Sequence, residues 1–390
     1  MRLIHTSDWH LGRRLKGVDR TPEIAFALNE LLKKAKSLEV DAVLVAGDIF
    51  DVPSPTAEAE KVAYDFFCQL GDAKIPAVVI AGNHDSALRI DGVSRLLSHV
   101  GVQALGRPKN MDKGGLIKLD TKSGKLCVAA VPFASERRLL KAEDLWEKDD
   151  LEQRQHYKQV VAGLFKNLTR GFQDNSVNVV MAHLTIDGAK RAYSEVDYYT
   201  KDTYSLSCQT LPSEAQYIAL GHIHKPQQVP NAAPTYYCGS LIQVDFGEAG
   251  EEKGFNLVTL EPGRPALTEF ISIPCQKPLK VVKSDWNNLD ETLEENREHS
   301  GFLKFVIELN ESQKFGLADK VRKVCTQALI IEPRYPKAPV EPNIEVGEFN
   351  QFDMVVEFQR YWSQQVGKTL EPSVLKAFKE LYQELNDAPN

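Results

Sequence analysis

Residues 42–51 read Ala-Val-Leu-Val-Ala-Gly-Asp-Ile-Phe-Asp. Five apolar residues in a row, without alternation, describe a short strand covered on both faces. Glycine stops the strand, and two carboxylates, Asp48 and Asp51, follow at once. Four other stretches repeat the arrangement. Leu3–Thr6 leads into Ser7-Asp8-Trp9-His10, and Val78–Ala81 into Gly82-Asn83-His84-Asp85. Val177–Ala182 leads into His183, and Tyr217–Leu220 into Gly221-His222-Ile223-His224. Helical stretches at Ile24–Ser37, Ala57–Leu70 and Val93–Val100 follow the first three strands in chain order, and another, Leu151–Thr169, precedes the fourth. Strands separated by helices predict crossover connections and a partly parallel sheet. In such sheets ligands bind beyond the carboxyl ends of the strands.

The residue types delivered to that edge are two Asp, one Asn and four His: Asp8, His10, Asp48, Asn83, His183, His222 and His224. Oxygen and imidazole donors without thiolate suit Mn²⁺, Fe²⁺, Zn²⁺ or Mg²⁺. Seven donors exceed one tetrahedral zinc and match two ions that share a carboxylate. A bridging Asp48 would hold them ~3.5–4 Å apart, the separation used in two-metal phosphoester hydrolysis. A lone His or Asp at a strand end is ordinarily a cap or turn residue, and His5, His99, His156 and His299 are read that way. Five clusters in register at five strand ends are not read so.

Composition fits a soluble globular chain of two or three domains. It has 390 residues, 43% hydrophobic and 26% charged, enough apolar material for a sizeable core. No window approaches the ~20 apolar residues of a membrane span, and no secretory apolar segment follows Met1 and Arg2. The net charge of −7 excludes a nucleic-acid binder of the uniformly basic kind and leaves room for a local basic patch. The six cysteines show no Cys-x-x-Cys spacing, which excludes a thiolate zinc site and suits a reducing cytosol.

The α/β pattern runs to about residue 275. Residues 276–332 read as a small capping domain, β-α-β-α-β, in which Leu303, Phe305, Ile307 and Leu309 alternate as in a half-buried strand. Pro333, Pro336, Pro339 and Pro342 then recur every third residue. That is the period of polyproline II, and segment 333–349 is read as a stiff spacer of roughly 30 Å. Residues 350–390 read as two amphipathic helices. Phe358 and Trp362 lie on the apolar stripe of the first, and Leu375, Phe378, Leu381 and Tyr382 on that of the second. Surplus aromatic surface on two short helices marks this tail as a partner-docking element.

Taken in order, Asp8-x-His10, Gly47-Asp48-x-x-Asp51, Gly82-Asn83-His84-Asp85, His183 and Gly221-His222-x-His224 resemble the five motifs of the calcineurin-like metallophosphoesterases. The stretches MRLIHTSDWHLGRRL (1–15), AGDIFDVPSP (46–55) and YYCGSLIQVDFGEAGEEKGF (236–255) resemble, within that superfamily, the bacterial DNA nucleases that act in repair and recombination. The motif match covers roughly residues 1–255. The resemblance implies an α/β fold, a β-sandwich flanked by helices, with the capping domain and the helical pair added. It implies one Mn²⁺ (Mg²⁺ or another divalent ion being possible) on Asp8, His10, Asp48 and His224, and a second on Asp48, Asn83, His183 and His222. His84 would be the catalytic histidine at the scissile phosphate, with Asp85 orienting it. Asp51 stands where archaeal relatives carry a second histidine. It either orients a ligand imidazole or is a turn residue.

The implied activity is 3′→5′ exonuclease on duplex DNA and endonuclease on single strands and hairpins. The implied partners are an SMC-like ATPase, DNA ends and hairpins, and a second copy of the chain within a heterotetramer. Helix Ala57–Leu70 is the candidate dimer contact, and the implied setting is the nucleoid-associated cytoplasm. Arg13, Arg14 and Arg89, which follow the first and third motifs, are candidate phosphate contacts. A generic phosphoesterase and a non-catalytic scaffold for the ATPase are the alternatives.

Overall fold

A computed structural model describes residues 1–133, 150–190, 205–309, 316–335, 354–366 and 370–387. In chain order the strands open with β1 (Arg2–Thr6), the short pair β2 (Arg14–Leu15) and β3 (Val18–Asp19), β4 (Ala42–Val45), β5 (Ala77–Ile80) and β6 (Val102–Leu105). They continue with β7 (Leu116–Thr121), β8 (Gly124–Val131), β9 (Val177–His183), β10 (Tyr217–Gly221), β11 (Gln227–Val229) and β12 (Thr235–Tyr237). The last are β13 (Gly254–Thr259), β14 (Leu267–Ser272), β15 (Leu279–Asp285), β16 (Phe302–Glu308) and β17 (Ala328–Arg334). The helices are α1 (Thr21–Ser37), α2 (Ala57–Asp72), α3 (Ala87–Ser98), α4 (Asp150–Thr169), α5 (Leu289–Asn296), α6 (Leu317–Val324), α7 (Met354–Val366) and α8 (Pro372–Asp387).

Two six-stranded sheets form, in the orders β14-β13-β1-β4-β5-β6 and β11-β12-β10-β9-β8-β7. In the first, β1, β4, β5 and β6 run parallel out to the edge, and in the second β8, β9, β10 and β12 form a parallel centre. Antiparallel strands complete the other edge of the first sheet and both edges of the second. The unbroken apolar run at β4 is explained by its two covered faces. Leu44, with Leu3, Val78 and Ile80, packs against Val128, Val179, Met181 and Ala219 of the second sheet. Val43 and Val45 turn the other way and join Leu28 and Leu31 of α1 and Phe66 and Phe67 of α2. The outer face of the second sheet packs Ala129 and Val180 against Val161, Phe165 and Leu168 of α4. Each such fully buried side chain contributes roughly 1.5–3 kcal/mol relative to exposure.

His5 is not a cap or turn residue. It lies in β1 with no exposure, its Nδ1 2.9 Å from the Tyr217 hydroxyl and its Nε2 3.1 Å from the Leu220 carbonyl. It ties the two sheets together inside the core. Helix α3 begins six residues before the expected Val93, because Ser86 caps it through its hydroxyl and Gly92 is accommodated inside the helix. Strands β13 and β14 carry no clear signal in the sequence, because Asn256, Thr268 and Glu269 interrupt their apolar residues.

Strands β15, β16 and β17 form the capping sheet with α5 and α6. Leu303, Phe305, Ile307 and Leu309 are buried, in keeping with their alternation. Leu279, Phe302, Leu329 and Ile330 of this unit pack with Leu15 and Phe246, so the cap belongs to one compact body, Met1–Ile307 with Gly316–Glu332. The C-terminal helices belong to a second unit. Within it the Phe358 and Phe378 rings stack, with centroids 3.9 Å apart and an interplanar angle of 2°. Trp362 lies 6.0 Å from Phe358, and Leu375 is half-buried. Val356 and Tyr361 remain exposed. Helix α8 carries Leu381 and Tyr382, whose side chains lie outside the described residues, as does the proline-spaced segment from residue 336 onward. Among the described residues no helix is long and apolar enough to cross a membrane.

Candidate metal centre

The parallel strands of both sheets point their carboxyl ends to one place. Beyond β1 and β4 the two loops hydrogen-bond to each other: Asp8 N–H donates to the Gly47 carbonyl (2.9 Å) and His10 N–H to the Asp48 carbonyl (3.1 Å). The backbone here is contorted. Asp8, His10 and Asp48 have φ of 52°, 52° and 51°, and His222 has 102°. Each is a left-handed or positive-φ conformation that costs an L-residue about 1–3 kcal/mol. Among the described residues, four of the seven non-glycine residues at positive φ are expected ligands, so strain is concentrated at the site. Two glycines are fixed by close approach. A Cβ at Gly82 would sit 2.1 Å from Asp48 Oδ1, and one at Gly47 2.3 Å from His183 Nδ1.

Two nests result. In the first, Asp8, His10 and His224 can each offer an atom to one cation, and the Nε2 atoms of His10 and His224 converge to 3.0 Å. In the second, Asp48, His183 and His222 do the same. His183 Nε2 and His222 Nδ1 both lie 2.9 Å from Asn83 Oδ1. Asp48 Oδ2 stands 3.3 Å from His183 Nε2 and 3.9 Å from His10 Nε2, between the nests. Asp8, His10, Asp48, His183 and His224 are buried, while Asn83, His84 and His222 are half-exposed toward solvent. Hard oxygen and imidazole donors converging in this way fit divalent cations.

Hydrogen bonds behind the donors set their orientation. Asp51 Oδ1 accepts from His10 Nδ1 (3.2 Å) and from Arg13 (3.3 Å). Of the two readings of Asp51, the geometry favours the one in which it orients an imidazole. Glu248 Oε1 accepts from His224 Nδ1 (2.9 Å), and Lys253 Nζ lies 2.7 Å from Glu248 Oε2. Sequence reasoning misses Glu248 and Lys253, because GEAGEEKG reads as a solvated charged loop although both are buried. His183 Nδ1 donates to the Ala46 carbonyl (2.8 Å).

The electrostatics follow from this packing. Burial works against the charge on Asp48, yet His183 and the neighbouring imidazoles hold its carboxyl well below the usual range. Burial likewise disfavours a charged His183, but the Asp48 carboxylate outweighs it and raises that imidazole to about 9. Burial also opposes the charge on Glu248, and Lys253 and His224 overcome it, keeping that carboxyl low.

Asp85, expected to orient His84, turns its carboxylate to the main chain. Its carboxylate accepts from three backbone amides, Gly82 (2.8 Å), Phe50 (3.0 Å) and Ile49 (3.2 Å). It pins two motif loops together, the one that carries His84 and the one that leads to Asp51. Burial and the nearby Asp48 raise its carboxyl to about 6. The His84 ring is held instead by the Asp51 carbonyl, 2.8 Å from its Nδ1. The His84 amide donates to Asp48 Oδ1 (2.8 Å). Of the candidate phosphate contacts, Arg13 is tied to Asp51 and lies 3.9 Å from Asp245. Arg14 is exposed and donates to the Gly17 carbonyl. Arg89, on α3, is exposed and paired with Glu60 at 2.9 Å.

A family model described as calcineurin-like phosphoesterase matches residues 1–226. The chain is 31% identical to the SbcD component of the nuclease SbcCD from Bacillus subtilis (strain 168), over 98% of this chain and 97% of that one. It is 30% identical to the component of the same name in Escherichia coli (strain K12), over 85% and 84% of the two chains. The Staphylococcus epidermidis counterpart is 26% identical over 74% of each. The ligand-bearing strand ends fall inside the matched region, and the first of these similarities runs through the capping unit and the tail. The chain belongs to the calcineurin-like phosphoesterases and, within them, to the SbcD family of SbcCD nuclease components.

Proposed function

We propose that this chain is a Mn²⁺-dependent DNA nuclease subunit, holding one ion on Asp8, His10, Asp48 and His224 and another on Asp48, Asn83, His183 and His222. The observation that supports it best is the place of Asp48 Oδ2, 3.3 Å from His183 Nε2 and 3.9 Å from His10 Nε2, with His84 beside them. When bound, the cations polarise the phosphoryl oxygens and lower the pKa of the attacking water. The protein's own groups do the rest. The Asp51 carbonyl accepts the hydrogen bond from His84 Nδ1, so Nε2 is the atom that meets the substrate. When the ring carries a proton on Nε2 as well, that N–H stabilises or protonates the 3′ oxygen as it leaves. Asp85 fixes the loops that carry Asp48, Asn83 and His84.

The substrates are duplex ends, degraded 3′→5′, and single strands and hairpins, cut internally. Arg13, Arg14 and Arg89 line the approach as phosphate contacts. The partner is an SbcC-type, SMC-like ATPase that docks on α7 and α8, the site of action being the nucleoid. Deleting residues 345–390 then spares hydrolysis of short substrates and abolishes co-purification with the ATPase; undiminished binding by the truncated chain would move the interface to the body. A homodimer forms through α2 and α3, where Leu88 and Leu96, one face of α3, are 69% and 70% exposed.

The test is incubation of the purified chain with labelled hairpins, duplex ends and a generic phosphoester. Mn²⁺ or Mg²⁺ is supplied, with and without the ATPase. Metal-dependent DNA cleavage supports the reading. Hydrolysis confined to the generic ester would favour a general phosphoesterase, and no turnover at all a scaffold.

A further inference from the structure

Where side chains of β11 and β12 meet those of β13 and β14, at one edge of the sandwich, lies a cavity of about 510 Å³. That is the size of a small-molecule site. Its walls come from both sheets. Thr268 pairs with Val258 across the strands, and Phe270 with Asn256. Val258 packs into the core between the sheets, and residues two apart on a strand share a face, so Asn256, Thr268 and Phe270 face the second sheet. The second sheet supplies Tyr236 and its cross-strand neighbour Gln228. Tyr236 stacks on Tyr217, with centroids 5.9 Å apart and an interplanar angle of 19°.

The core sets the polar edge of this cavity. The Leu220 carbonyl can only accept, so His5 carries its proton on Nε2, and its Nδ1 accepts from the Tyr217 hydroxyl. The Tyr217 oxygen then accepts from Asn256 Nδ2 at 3.3 Å. Asn256, 3% exposed, is thereby oriented, and among the described residues its Oδ1 takes no hydrogen bond. Thr268 Oγ1 is buried and also lacks a partner among them, a destabilising arrangement unless a ligand supplies one. The cavity adjoins the metal centre. Lys225, in its wall, directly follows His224. Lys253 Nζ lies 2.9 Å from the His224 carbonyl and 3.0 Å from Glu251, another lining residue.

A ligand for such walls is flat, with apolar faces and with donors and acceptors along one edge. A phenyl ring lacks that edge, and an alkyl chain lacks the faces as well. A nucleobase has both. In DNA the faces and edge of a base are free only where it is unpaired and unstacked. We propose that this cavity is a base-binding subsite, which takes one unpaired nucleobase of a DNA strand against Tyr236 and Phe270 and reads its edge with Asn256 and Thr268. The subsite rests on the reading of the chain as a DNA nuclease and adds to it a preference for substrates with an unpaired base near the cut.

The experiment uses the metal-stripped full-length chain and hairpins carrying the fluorescent base 2-aminopurine at each loop position in turn. Matched hairpins with an abasic loop position, and free dAMP, are the comparisons. One loop position should be quenched on binding. Phe270→Leu should weaken binding of that hairpin about 5–150-fold, the range set by loss of a base–aromatic stack. Thr268→Val keeps the shape of the wall; it should weaken binding about 2–10-fold without lowering the thermal unfolding temperature. A residue that only packs would give no loss of binding there. Neither variant should change affinity for the abasic hairpin. Quenching at no loop position, or equal losses on the abasic hairpin, would overturn the subsite. If dAMP bound as tightly as the hairpin, the cavity would belong to released nucleotides and the strand assignment would fall. Hairpin cleavage by the parent with Mn²⁺ would in those cases leave the nuclease reading standing, whereas a parent that cuts no DNA would sink that reading itself.

Discussion

Replacing His84 by alanine separates chemistry from metal binding more cleanly than any other change at this site. The contact that residue 84 makes with the shared carboxylate is a main-chain one, its N–H donating to Asp48 Oδ1 at 2.8 Å. Alanine keeps it. The side chain gives up one hydrogen bond, Nδ1 to the Asp51 carbonyl, worth about 1 kcal/mol at a half-exposed position. Both proposed coordination sets remain complete. What is lost is the imidazole that faces the leaving group, and losing a positioned acid or electrostatic stabiliser slows turnover about 10²–10⁴-fold, or roughly 3–5 kcal/mol of barrier. The assay is single-turnover cleavage of a labelled hairpin at saturating Mn²⁺, with metal analysis and thermal unfolding on the same sample. A rate near the parental one refutes the catalytic role. Loss of an ion refutes it differently: His10, Asp48 and His84 also lie close enough to offer atoms to one cation, and His84 would then be a ligand.

Asp48→Ala should lose both ions after dialysis, whereas Asp8→Ala should lose chiefly one; equal partial losses on metal analysis would contradict the shared carboxylate. Arg20 is fully buried and grips Glu23 through two bonds of 2.5 and 2.8 Å beneath the Phe302 ring. Glu23→Ala should therefore cost about 3–5 kcal/mol in urea unfolding, and Arg20→Met with Glu23→Leu should recover most of it; a double variant no better than the single would show that the charge was not the problem. His5 is lowered from 6.5 to about 3, by burial above all, with the Leu220 carbonyl opposing. The unfolded chain therefore takes up that proton first, so this part of the stability is complete above about pH 6.5 and is lost as pH falls toward 3, at up to about 1.4 kcal/mol per pH unit. His5→Gln should flatten the stability–pH curve of the metal-stripped chain by one proton across that window, and an unchanged slope would show that His5 titrates normally.

The sandwich was legible because β4, β5, β9 and β10 are covered on both faces and so carry unbroken apolar runs, which few other contexts tolerate. Strands β13 and β14 were not, since they lie toward a sheet edge and mix Glu269 and Asn256 with apolar residues. The convergence of the candidate metal donors was legible because their chemistry is stated by residue type at fixed offsets from strand ends. Their supports were not. Asp85 stands next to His84 in sequence, yet the turn after β5 sends its carboxylate back to the amides of Ile49 and Phe50. The group that does hold the His84 ring is a main-chain carbonyl, which no sequence displays. Glu248 lies 24 residues from the imidazole it backs, in a run whose composition describes solvent.

The origin of each donor explains why the site needs both sheets and tolerates strain. Asp8, His10, Asp48 and Asn83 come from strands of the first sheet, and His183, His222 and His224 from the second. Each nest draws on both. A cation in either therefore joins the two sheets at their carboxyl edge, just as His5, Tyr217 and the Leu220 carbonyl join them inside the core. Loop backbone alone would not hold Asp8, His10 and Asp48 at positive φ. Here the paired amides of Asp8 and His10, the glycines beneath Asp48 and His183, and the Asp85 carboxylate fix the same few atoms from several directions. The strain is offset by the rigid layers that surround it. Any ion bound there favours the folded arrangement in proportion to its affinity, so folding and metal binding reinforce one another.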